Sequence, residues 1–105
     1  MEKEQEELIL NLQAYNQQLQ NVILQKQSLL IQINEIEKAV IEVEKSKGQI
    51  FKAVGNVLVE NEKNQAKEEL DEMKEEYDLR VHTLEKQEKA MRQKMTEIQG
   101  KLKLD

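Results

Sequence analysis

The sequence has no cysteine, no proline and no tryptophan, and only one phenylalanine, two tyrosines and three glycines among 105 residues. Without cysteine there is no disulfide framework and no thiolate metal site, which suits a reducing compartment without requiring one. Without proline nothing interrupts a helix from within. With aromatic residues at 3% there is little material for a globular core. No apolar run approaches the roughly 20 residues that cross a bilayer, and the charged Met1–Glu7 opening does not read as a signal peptide. A secreted or membrane-spanning protein is therefore not expected, and a cytoplasmic location is. A basic face is missing as well. The net charge is −5, with acidic and basic residues interleaved. The densest basic stretch, Lys86 to Lys94, contains Glu88 and follows Glu85, so it reads as a solvated helix face and nucleic acid is not an expected partner.

What the chain does have is two apolar ladders. Leu8, Leu12, Tyr15, Leu19, Val22, Leu29, Ile33, Ile36, Val40 and Val43 recur at alternating steps of four and three, with one charged rung, Lys26. In the second half Leu70, Tyr77, Val81, Leu84, Met91, Met95, Ile98 and Leu102 repeat the pattern, interrupted by Lys74 and Glu88. Such spacing keeps one stripe facing a partner along a whole helix, the signature of a coiled coil. Folded back antiparallel, the ladders match: Val43 meets Leu70, Ile36 meets Tyr77, Val22 meets Met91, Leu19 meets Met95 and Leu12 meets Leu102. In that register Lys26 faces Glu88. A slip would strand both charges against apolar neighbours, so the pair is expected to pin the register.

These ladders divide the chain into a first coiled-coil helix over 1–47, a connection over 48–62 and a second helix over 63–105, all within a single domain. The first helix is expected to end near Ser46, with Gly48 as a left-handed cap. The second is expected to start at Asn64 as N-cap, with Glu68 and Glu69 near its positive end. The connection is rich in β-branched residues and carries Gly55-Asn56 at its centre, which suits a two-residue type II′ hairpin turn. That turn sets Val54 opposite Val57, Ala53 opposite Leu58, Lys52 opposite Val59 and Phe51 opposite Glu60. Ile50, Val54, Val57 and Val59 then share one face, and Phe51, Ala53 and Leu58 the other. A lone strand pair with two apolar faces and two open edges is marginal in water. Hairpins from several subunits are expected to pair into an intersubunit β-barrel; the alternative is a monomer whose hairpin folds over the coiled-coil base. The fold class is mainly α: a long antiparallel two-helix coiled coil with one β-hairpin at the bend.

A bend of this kind, with the run Ile50-Phe51-Lys52-Ala53-Val54-Gly55-Asn56-Val57-Leu58-Val59, resembles the β class of prefoldin subunits. The run looks like that family's aromatic-Lys-x-x-Gly-Asn/Pro-hydrophobic-Leu-hydrophobic hairpin. Leu79-Arg80-Val81-His82-Thr83-Leu84-Glu85-Lys86-Gln87-Glu88 and Gln25-Lys26-Gln27 are similar to helix motifs of archaeal β subunits. Only about 20 residues separate the helices, room for one hairpin rather than the two of the α class. The resemblance implies an ATP-independent chaperone, a holdase, that passes unfolded clients to a group II chaperonin. It implies a hetero-hexamer of α-class and β-class subunits. Some members carry a longer tail than one ending at Asp105, and no contact of such a tail is assigned.

Capture of unfolded chains needs exposed, adaptable apolar surface. The expected client-binding tips are Leu8, Ile9, Leu10 and Leu12 beside Met95, Ile98, Leu102 and Leu104, where uncapped helix ends open readily. Ile23, Leu24, Leu30 and Ile31 flank the seam, either as a cavity-facing stripe or as packing against the partner helix or a neighbouring subunit. Ile50, Phe51, Val54, Val57, Leu58 and Val59 form the expected oligomerisation surface. His82 has no second ligand in view, the carboxylates fall at helical spacing beside lysines, and Gly48, Gly55 and Gly100 are too scattered for a phosphate loop. No enzyme, metal or cofactor is expected. A competing reading is a structural coiled-coil adaptor that oligomerises through its hairpin.

Overall fold

The computed structural model describes residues 2–102. Their order is α1 (Lys3–Lys45), β1 (Ile50–Val54), β2 (Val57–Asn61) and α2 (Lys63–Leu102). The helices are continuous because no proline breaks them and strong helix formers fill most positions. Glu4 and Glu6 complement the positive end of α1, and Lys45 its negative end. Among the described residues, no helix is long and apolar enough to cross a membrane.

The contacts group into two compact units. One takes the chain ends, up to Ser28 and from Val81, and the other holds Leu29–Arg80. In the first, Leu19, Val22, Val81, Leu84, Ile98 and Leu102 are buried, each a rung of its ladder. Leu19 and Met95 line one shallow depression, and Tyr15 and Met91 another. Burying one such aliphatic side chain is worth about 1.5–3 kcal/mol, so the seam supplies most of what holds this helix pair together.

In the second unit Ile33, Ile36 and Ala66 are buried, and Val40, Val43, Leu70 and Tyr77 are half-buried. Two ion pairs one heptad apart follow the antiparallel register here: Lys67 Nζ lies 3.3 Å from Glu44 Oε1, and Lys74 Nζ 3.3 Å from Glu37 Oε1. Lys74, which interrupts the second ladder, thus reaches a carboxylate that flanks the first.

The hairpin has the expected register, Val54 opposite Val57 and Phe51 opposite Glu60, closing with Ile50 opposite Asn61. Gly55 has φ of 61°, the left-handed region that the first central position of such a turn demands and that residues with a Cβ resist.

Both expected helix caps are corrected. Gly48 does not take the left-handed conformation; Gly55 is the one described glycine with positive φ. Instead Lys63 Nζ donates to Glu44 O at 2.9 Å and Ser46 O at 3.2 Å, so a lysine from α2 satisfies carbonyls that a glycine cap would otherwise close. Asn64 lies inside α2 and is not its cap. Asn61 Oδ1 accepts the Glu62 N–H at 3.0 Å, and Glu62 O accepts the Ala66 N–H at 2.8 Å, which starts the helix at Lys63. With that start the first turn holds no acidic residue, and Glu68 and Glu69 fall beyond it.

Candidate functional site

Two apolar surfaces remain after the seams have closed. The first is the hairpin. Phe51 and Leu58 share one face, and Val54, Val57 and Val59 the other; all five are exposed, Leu58 at 70%. Ile50, next to the helix end, is half-buried. Among the described residues neither outer strand edge has a partner, since the sheet is β1 and β2 alone. Lys52 Nζ reaches Glu69 Oε2 at 3.1 Å and ties the hairpin to α2, while Lys63 ties the start of α2 to the end of α1. These lysines were not singled out from the sequence. Lys74 was visible there as a break in a ladder, and Glu37 and Glu44 at heptad spacing were the signal that could have explained it. Lys63 and Lys52 act through the backbone and through a turn, which no periodicity reports.

The second surface lies along α1. Leu10, Leu24 and Ile31 are exposed at 63%, 62% and 62%, and Leu30 at 47%. Leu8, Ile9, Leu12 and Ile23 are half-buried. The expected tip set therefore divides in the structure. Leu10 stands free, Met95 is half-buried, and Ile98 and Leu102 are closed into the seam. Leu104 lies outside the described residues. Of the stripe residues, Leu24, Leu30 and Ile31 are exposed, so packing against α2 has support at Ile23 alone.

Within the first unit, Lys26 Nζ lies 3.3 Å from Glu88 Oε1 and 3.5 Å from Oε2, with the two side chains 23% and 19% exposed. Arg92, one turn on, approaches the same carboxylate at 4.0 Å. No buried side-chain polar atom among the described residues lacks a partner. His82 is exposed, and no group of metal-ligating side chains occurs among the described residues. Arg80 stacks over the Tyr77 ring at 5.8 Å and pairs with Glu76 at 2.9 Å, which accounts for both as surface structure.

A family model described as prefoldin subunit matches residues 6–104, nearly the whole chain. The chain belongs to the prefoldin subunit family. Among solved structures it is similar to the prefoldin beta subunit from Thermococcus strain KS-1, at 32% identity and a TM-score of 0.90, covering 96% of this chain and 90% of that one. It is also similar to the prefoldin beta2 subunit of the same strain, at 25% identity and a TM-score of 0.76, covering 85% and 97%. A search of curated proteins finds no significant match. The single hairpin and these two likenesses place this prefoldin subunit in the β class. Prefoldin is a chaperone family and not an enzyme class, in keeping with surfaces that offer apolar contact rather than reactive groups.

Proposed function

We propose that this β-class subunit joins α-class and further β-class prefoldin subunits in a cytoplasmic hetero-hexamer. The complex holds unfolded proteins without nucleotide and hands them to a group II chaperonin. The observation that carries this reading is the exposure of Leu10 and of Leu24, Leu30 and Ile31 on a helix whose seam is already filled. An isolated folded protein gains nothing from keeping such residues in water. A holdase needs them, because its clients share only uncovered apolar groups.

Assembly is the role of the hairpin in this proposal. Phe51 and Leu58 on one face and Val54, Val57 and Val59 on the other need two covering layers, which sibling hairpins provide by extending the sheet into a closed barrel. Lys52–Glu69 and Lys63 hold the hairpin in one orientation beforehand, so less freedom is lost on docking. Several subunits then present weak apolar contacts around one client. Each contact releases readily, while together they retain it, and a chaperonin displaces them one at a time.

Chemically unfolded protein diluted into the assembled complex tests the reading by light scattering. Near-stoichiometric complex suppresses aggregation with no nucleotide present. Ile9→Ser with Leu10→Ser removes that suppression while native mass stays constant; suppression that survives the pair of changes refutes the tip assignment. Ile98 and Leu102 are unsuitable for this test, because they are buried and their replacement would loosen the helix pair itself.

A further inference from the structure

Over residues 8–28 the surface of α1 carries no charge at all. The one charged residue there, Lys26, sits in the seam against Glu88. Of the fifteen residues off the seam, nine are asparagine or glutamine, four are isoleucine or leucine, and Ala14 and Ser28 complete the set. All nine amides are exposed. The α2 segment that packs against it in the same unit, residues 81–102, carries five basic and three acidic residues. A merely solvated helix face is charged, as α2 is, because charge maintains solubility. The neutrality of residues 8–28 calls for another explanation.

We infer that this neutral amide and apolar collar is a docking surface for the backbone of an unfolded polypeptide, and that it makes client capture indifferent to client charge. The inference rests on the holdase reading and specifies how its clients are contacted. An unfolded chain brings peptide N–H and C=O groups that must be satisfied wherever they are desolvated. Each Gln or Asn offers both an acceptor and two donors, the complement of a peptide group whatever side chain it bears. Leu10 and Leu24, exposed at 63% and 62%, lie one heptad before and one heptad after Gln17 on the same row and take the client's apolar side chains. A charged collar would instead attract one class of client and repel another, since opposed like charges cost several kcal/mol.

A neighbouring helix is the other occupant to weigh, and the extent of the collar argues against it. A packed helix covers a stripe of about 100°. The uncharged surface occupies every row of the heptad that faces away from α2, as Gln13, Asn16, Gln17, Gln18, Gln20 and Asn21 show. A flexible chain can follow such a surface on any side.

The test uses the complex assembled with its α-class partner and two unfolded fluorescent peptides, one acidic and one basic, of matched apolar content. The parent complex binds both with affinities within about threefold, nearly unchanged between about 0.05 and 0.5 M salt, a range over which exposed charge interactions go from weakly to strongly screened. Gln13→Glu, Gln17→Glu and Gln20→Glu together keep helix propensity and shape, checked by circular dichroism and native mass. This variant loses about tenfold for the acidic peptide and gains a salt dependence; the three Gln→Lys changes reverse the preference. If both variants bind both peptides as the parent does, the collar is not contacted and the inference is overturned, while loss of binding in Ile9→Ser with Leu10→Ser keeps the holdase reading. Preference of the parent for one peptide also overturns the inference. Absence of binding by the parent overturns both.

Discussion

Replacing Lys26 and Glu88 by methionine, singly and together, tests whether the charged rung is one interaction or two defects. At 3.3 Å the gross attraction is about 5 kcal/mol for an effective dielectric of about 20. Desolvation of two side chains only 23% and 19% exposed cancels much of that. Lys26→Met leaves Glu88 in the seam with only Arg92 nearby, at 4.0 Å and more than half exposed. The expected cost is about 2 kcal/mol, between the values for exposed and fully buried pairs. Glu88→Met strands Lys26 at a similar cost. With both replaced, an apolar rung joins Val22, Leu84 and Met91, and the double variant lies within about 1 kcal/mol of the parent. The coupling is thus about 3–5 kcal/mol. Urea unfolding followed by far-ultraviolet circular dichroism, at fixed subunit concentration because assembly stabilises by mass action, measures it. A coupling below about 0.5 kcal/mol, the scatter of independent sites, refutes the argument. Exchanging the two charges recovers less than the methionine pair, because the new cation at position 88 sits beside Arg92.

Val57→Lys or Phe51→Asp puts a charge on an exposed hairpin face, and the complex dissociates by native mass while its helical circular dichroism persists; full-size complexes refute the barrel. Gly55→Ala strains a residue at φ 61° and destabilises the hairpin by about 1 kcal/mol, read as a higher concentration midpoint for assembly, which an unchanged midpoint contradicts. Lys63→Met removes both donors to the end of α1 and costs about 1 kcal/mol, seen as faster amide exchange in residues 45–50; unchanged exchange shows that water serves those carbonyls equally well.

Much of this fold was legible because two signals are strictly local. The four-three spacing names the seam residues, and Gly55-Asn56 between β-branched runs names both the turn and the strand register. The caps at the end of α1 and the start of α2 differ from the expected ones for a common reason. Glycine and asparagine were expected to cap their own helices, whereas the structure caps α1 with Lys63, distant in sequence, and begins α2 with backbone and Asn61 contacts. Such partners are set by how the bend closes. The candidate tip was only partly legible. The spacing already set Leu10 off the seam and Leu102 on it, but whether the helix end stays closed over a rung such as Leu102 depends on how it packs, which spacing does not report. The lack of charge over residues 8–28 was present in the sequence throughout, but gained meaning once the structure showed all nine amides exposed.

Site-specific photocrosslinking tests the central claim most directly, that the uncovered face of α1 holds unfolded chains. A photoreactive residue replacing Leu10 in the assembled complex is expected to crosslink a chemically unfolded client in the absence of nucleotide, and to stop once the client has folded. The same residue replacing Leu79, equally exposed on α2, serves as the comparison. Crosslinks from position 79 with none from position 10 would contradict the account.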